Sequence, residues 1–163
     1  MTYQEFLLSK IDIAKETGFD IDLSEVNPIL APHQKVAVKW AVKGGKRAVF
    51  KAFGLGKTIV DLEICRIILK REGGKALIVL PLGVKQEFTR DAVSLLGMEP
   101  PQYVRNMAEI GASTTDILLT NYERVRDGDI DPTYFTICSL DEAAVLRSYG
   151  SDTYQTFHRG CRL

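Results

Sequence analysis

The sequence has no apolar run long enough to cross a bilayer, because charged residues interrupt every hydrophobic stretch. A helical span needs about 20 mostly apolar residues, so no membrane segment is expected. The opening residues MTYQEFLLSKIDIAKE carry Glu5, Lys10, Asp12 and Lys15 within them and lack the unbroken apolar core of a signal peptide. Cysteine is scarce: Cys65, Cys138 and Cys161 are far apart, odd in number and without CxxC spacing, which disfavours a disulfide framework or a zinc site. A cytoplasmic, reducing setting fits this usage. The two histidines, His33 and His158, are solitary, and a surface or capping role suits them better than ligation. An excess of either charge is also missing, with 21 basic against 21 acidic residues, so contact with nucleic acid has to come from a local patch. Repeats and low-complexity tracts are absent.

What is present suits one globular core: 163 residues, 45% of them hydrophobic. Tyr3 to about Glu16 reads as an amphipathic helix, with Thr2 as N-cap and Glu5 completing a capping box. A polar, Asp-rich linker follows to about residue 27. A second helix is expected from Pro32 to Gly44, with Val36, Ala37, Trp40 and Ala41 on one face, Trp40 in the core, and Lys35, Lys39 and Lys43 on another face. That lysine face reads equally as a basic stripe or as an ordinary solvated surface. RAVFKAF reads as a strand, KTIVDLEICRIILKR as a strongly apolar helix ending before Gly73-Gly74, KALIVLPLG as a buried strand, and VKQEFTRDAVSLLG as a helix ending at Gly97. QYVR, DILLT and YFTICSL are further short strands suited to a sheet covered on both faces. This alternation predicts an α/β fold, a mainly parallel sheet with flanking helices.

Between RAVF and the apolar helix lies KAFGLGKT, residues 51 to 58. A phosphate-binding loop needs small residues where the backbone wraps the anion, a helix N-terminus directly after, a lysine for the outer phosphates and a hydroxyl for Mg²⁺. Gly54, Leu55, Gly56, Lys57 and Thr58 supply them. Lys51 stands at the first position, where glycine is usual. Its place at the end of the strand, where phosphate approaches the backbone less closely, leaves the anion nest intact.

Such a loop needs an acidic partner at the end of a neighbouring strand, and TICSLDEAA offers one. Asp141 and Glu142 emerge together after Ile137 and Leu140, at the carboxyl end of the sheet where α/β proteins bind ligands. Asp141 is the candidate Mg²⁺ ligand, and Glu142 the candidate for orienting and deprotonating an attacking water.

Together these segments resemble the superfamily 2 helicases, the DEAD/DEAH-box group, and within them the Snf-type double-stranded DNA translocases, over residues from about Pro28 to Phe157. GLGKT is similar to their first motif, in which the opening position is often not glycine. APHQ resembles the adenine-reading element, which implies that Gln34 contacts the base. IVLPLGVKQEF resembles motif Ia, whose loop touches a nucleic-acid backbone and implicates Lys85. LLTNYERVR resembles the segment written in many relatives as threonine-threonine-tyrosine-glutamate; Tyr122 itself is expected to pack the sheet edge rather than stack on a base. SLDEAAVLRSYGSDTYQTF resembles motif II and the stretch after it, implicating Arg147 in DNA contact; these last phrases are closest in feel to helicase-like ATPases of bacteriophages.

The resemblance implies a P-loop (RecA-like) lobe over 28–163 behind an N-terminal helix and linker over 1–27, with ATP and Mg²⁺ as ligands. It also implies nucleic acid as partner, DNA rather than RNA, and a bacterial or phage-infected cytoplasm. Ala144 stands where relatives often carry the histidine of the DEAH box, which weakens the implied link between ATP state and the rest of a motor. Motif III and a second lobe with its arginine finger do not follow motif II. The lobe is therefore expected to be truncated and to hydrolyse ATP poorly unless another chain supplies the second lobe. In the family, the motif III strand lies between the phosphate-loop strand and the motif II strand, so RAVFKAF and FTICSL are expected to flank a vacant position. A non-enzymatic DNA- or motor-binding module and a small P-loop kinase are the alternatives. The adjacent Asp141-Glu142 pair and the want of an arginine-rich lid count against the kinase.

Overall fold

The computed structural model describes residues 15–49 and 55–143. The predicted helix over Tyr3–Glu16 lies outside them except for Lys15 and Glu16, which are not helical. RAVFKAF is described only over 47–49, where there is no strand. Gly54, Arg147, His158 and Cys161 also fall outside the described residues.

Among the described residues four parallel strands form the sheet: β1 (Ala76–Val79), β2 (Gln102–Tyr103), β3 (Ile117–Thr120) and β4 (Ile137–Leu140), in the order β2-β3-β1-β4. Ala76 stands opposite Ile117 on one side and Ile137 on the other, and Val79 opposite Thr120 and Leu140. The three longer strands therefore end level with one another. The described residues also form five α-helices beside the sheet: α1 (Pro32–Gly44), α2 (Lys57–Glu72), α3 (Lys85–Ser94), α4 (Met107–Ala112) and α5 (Tyr122–Arg126). Side chains alternate across a strand, so Ala76, Ile78 and Leu80 join Val60, Leu62, Phe88 and Ala92 in one core. Leu77 and Val79 join Ile110, Tyr122, Val125 and Ile130 in the core on the opposite face. The expectation of a sheet covered on both faces holds, most completely for β1 and β3, which are buried at every position. β4 is half-buried throughout and pairs only with β1 among the described residues.

Helix α1 has the predicted bounds, but its buried face shares only Ala41 with the predicted one. Gln34, Val38, Ala41 and Val42 are buried, while Val36 and Trp40 are 59% and 50% exposed. Positions 34, 38, 41 and 42 form an i, i+4, i+7, i+8 stripe, and that stripe meets α2. Trp40 instead carries the Arg47 guanidinium 5.6 Å from its ring centre. On the solvent side Lys39 pairs with Asp20 at 3.2 Å and Lys43 with Glu16 at 3.4 Å, as a solvated face would.

Residues 17–19 run past the end of α1, where the amides of Thr17, Gly18 and Phe19 donate to the carbonyls of Gly44, Lys43 and Val42. A Cβ at Gly18 would lie 1.8 Å from the Val42 carbonyl oxygen, so only glycine allows this approach. Further along, fully buried Glu63 of α2 accepts from the Asn27 amide at 2.7 Å and from both Nε and Nη2 of Arg66 at 2.8 and 2.7 Å. The second guanidinium nitrogen also donates to the Glu25 carbonyl at 2.9 Å. A buried carboxylate needs such pairing, and here it fastens the segment before α1 to the helix that follows the glycine loop.

Candidate nucleotide site

Gly56 opens α2 as its N-cap in the left-handed region, with φ of 66°. The backbone conformation there favours glycine, and a Cβ, 2.6 Å from the Gln34 side-chain nitrogen, would displace that amide. Gln34 is the contact that sets this approach. Its Oε1 accepts from the Ala31 amide at 2.9 Å, capping α1, and its Nε2 donates to the Leu55 carbonyl at 3.1 Å. The residue expected to read a base thus rests on the glycine loop, with both ends of its amide engaged by backbone.

The first turn of α2 presents Lys57 and Thr58 towards the ends of β1 and β4. Leu140 is level with Val79, and the next amide, that of Asp141, donates to the Val79 carbonyl at 2.9 Å, so the acidic pair leaves the sheet at its carboxyl edge. Lys57 Nζ lies 3.0 Å from Glu142 Oε1, an ion pair between partly exposed groups. Glu142 has φ of 52°, the only non-glycine residue in the left-handed region among those described. Residues held there cost energy and gather at functional sites. The Asp141 carboxyl is pushed above the usual carboxylate range, first by burial and then by Glu142, with Lys57 pulling the other way and Glu87 adding to the rise.

Gly56, Lys57, Thr58, Val84, Glu87, Asp141 and Glu142 line a cavity of about 150 Å³. Five of the expected site residues, Gly56, Lys57, Thr58, Asp141 and Glu142, are therefore gathered in one place. Two further supports escaped the sequence. Glu87, in the first turn of α3, accepts from the Thr58 hydroxyl at 3.3 Å. Tyr122, buried in the core after the inner strand β3, donates from its hydroxyl to the Asp141 carbonyl at 2.6 Å and so braces the end of β4. A carboxylate in the first turn of a helix after a strand is a visible sequence feature, but which way it faces is not.

A second acid on α2 is half-buried. Asp61 accepts from the Ser139 hydroxyl of β4 at 2.5 Å, and burial, more than the neighbouring Asp141, raises its carboxyl to about 6. Among the described residues no three His, Cys, Asp or Glu side chains converge closely enough to hold a metal ion by themselves. The oxygen donors at the loop, the Thr58 hydroxyl and the Asp141 carboxylate, fit Mg²⁺, which takes few protein ligands and completes its shell with water and phosphate.

Lys85 lies apart from this cavity. It begins α3 beyond the end of β1, with Nζ 4.9 Å from the ring centre of Tyr103 in β2. The Tyr103 hydroxyl donates to Asn121 Oδ1 at 2.8 Å, so the ends of β1, β2 and β3 are joined there, with Arg105 and Arg124 exposed nearby in pairs with Glu109 and Asp129. A larger cavity of about 290 Å³ lies elsewhere, against the later turns of α2, lined by Phe19, Asp20, Glu25, Arg66, Ile67, Lys70 and Arg71. Neither the glycine loop nor the acidic pair contributes to it. Among the described residues no helix is long and apolar enough to cross a membrane.

No family model and no curated protein matches the sequence. Among solved structures the chain is similar to the UvsW helicase from bacteriophage T4, with a TM-score of 0.67 and 15% identity, covering 96% of this chain and 54% of that one. The chain thus spans about half the length of that helicase, and at this identity the likeness is one of fold: the α/β, parallel-sheet architecture of a helicase lobe.

Proposed function

We propose that the chain is a helicase-like nucleotide-binding lobe that takes ATP or ADP with Mg²⁺ between the glycine loop and the end of β4, and contacts a nucleic-acid backbone along the ends of β1 to β3. The observation that carries the reading is the convergence of Lys57 and Thr58 with Asp141 and Glu142 across 85 positions of sequence, for Lys57 and Glu142, on the carboxyl edge of a parallel sheet. The amides at the start of α2 and the positive end of that helix favour an anion there. Lys57 exchanges Glu142 for the outer phosphates, Thr58 and Asp141 hold the metal, and Gln34, seated on the loop, contacts the base. Bound Mg²⁺ neutralises the phosphate charge.

Glu142, released from Lys57, orients and deprotonates the water that attacks. No arginine lines the cavity among the described residues, and an arginine finger accounts for about 10³ to 10⁵ in rate in related chemistry. The 163-residue chain by itself is therefore expected to bind nucleotide and turn it over slowly, with fast turnover awaiting a second lobe. Lys85 is the proposed nucleic-acid contact on the described surface, and DNA rather than RNA is the proposed partner in the cytoplasm of a bacterial or phage-infected cell.

Calorimetric titration of the wild type and Lys57→Ala with ADP and MgCl₂ tests the reading. Binding is expected in the wild type and loss of most of it in the variant, with unchanged circular dichroism. Equal binding by the two would refute the assignment.

A further inference from the structure

We propose that Glu87 makes nucleotide binding at this site depend more steeply on a divalent cation, because it sets a third carboxylate against the glycine loop beside Thr58. The inference rests on the nucleotide-site reading above and concerns a residue outside the loop and the acidic pair. Glu87 belongs to a different element, α3, and reaches the loop through the Thr58 hydroxyl at 3.3 Å. With Asp141 and Glu142 it brings three carboxylates to a cavity whose lining includes one ammonium, Lys57. With all groups ionised the formal sum is one minus three, or minus two. Lys57 is already paired with Glu142.

A helix N-terminus contributes about half a positive charge, too little to offset this sum. A nucleotide without metal therefore brings all of its phosphate charge into a negative site, whereas one carrying Mg²⁺ brings much less. Glu87 adds to that contrast through its charge. That charge lies at the loop, and the hydrogen bond to the Thr58 hydroxyl holds it there. Because Glu87 is solvent-exposed, the effect is a modest factor and not an absolute block.

The test is the ratio of ADP dissociation constants in EDTA and in MgCl₂, measured by displacement of a fluorescent ADP analogue from the whole chain. Glu87→Gln keeps an acceptor for Thr58 and removes the charge, while Glu87→Asp keeps the charge. The ratio is expected to fall by about threefold or more in Glu87→Gln and to stay within twofold of wild type in Glu87→Asp, with melting temperatures unchanged in both. A smaller fall in Glu87→Gln, or an equal fall in both variants, overturns the inference. Absence of ADP binding by the wild type in MgCl₂, or binding unaffected by Lys57→Ala, overturns the nucleotide-site reading and this inference with it.

Discussion

The ammonium of Lys57 lies 3.0 Å from the carboxylate of Glu142, although the two are 85 positions apart in the chain. One closes the glycine loop at the start of α2 and the other follows the last strand of the sheet. The phosphate-seeking cation of the proposed site is therefore held by the group proposed to act on water, and nucleotide must separate them.

Glu142→Gln is accordingly expected to strengthen Mg²⁺-ADP binding. Both members of the pair are substantially exposed, and exposed pairs are worth about 0 to 1 kcal/mol, so the gain is limited to about fivefold. Calorimetry on the variant checks this; weaker binding than wild type would mean that Glu142 supports the ligand instead of competing with it.

Asp61 predicts a pH dependence. Its carboxyl is raised from 3.8 to about 6 by burial, so the folded state prefers it protonated. The contribution to stability is fully present below the unfolded value, is lost as pH rises from about 4 through about 6, and stays lost above that. Allowing for residual solvent contact, the loss is about 1 to 2 kcal/mol. In urea unfolding, the stability of Asp61→Asn relative to wild type should rise by that amount between pH 4.5 and 7. A difference independent of pH would contradict the assignment.

Arg66→Ala leaves Glu63 buried with one backbone amide as its remaining partner. Removing one member of a buried pair costs about 3 to 5 kcal/mol, and the partial exposure of Arg66 places the expectation near the lower figure. Denaturant unfolding measures it. Because the bond ties residues 25–27 to α2, the variant should also loosen the segment leading into α1, which faster amide exchange at Asn27 would register.

Lys85 tests the nucleic-acid part of the proposal. Binding to a duplex of random sequence should be weak and should fall as salt rises, and Lys85→Ala should reduce the slope of log affinity against log salt by about one. Tight binding that survives high salt, or an unchanged slope, would place the contact elsewhere.

The parts of the molecule legible in the sequence were those fixed by local signals. The Pro32 to Gly44 bounds of α1 follow from a proline that suits a first turn and glycines that suit an end, and the buried strands β1 and β3 from short runs of branched residues. The placement of Lys57 near Asp141 and Glu142 followed from a helix that starts at GKT and an apolar strand that ends at Leu140, both at the carboxyl edge of a parallel sheet. The face of α1 was misread because Trp40 and Val36 are apolar and adjacent in phase, whereas its packing is decided by α2, to which Val38 and Val42 turn. Short helices α4 and α5 were missed because six and five residues carry too little periodicity to distinguish from a loop. Glu87 and Asp61 were visible as acids, but their partners Thr58 and Ser139 are 29 and 78 positions away.

The central claim, that nucleotide binds at the glycine loop against the end of β4, is tested most directly by the amide spectrum of ¹⁵N-labelled chain titrated with Mg²⁺-ADP. The account predicts the largest shifts at Gly56, Lys57, Thr58, Glu87, Asp141 and Glu142, with little change around Phe19, Arg66, Lys70 and Arg71, which line the larger cavity. Shifts concentrated at that larger cavity, or none at the loop, would contradict it.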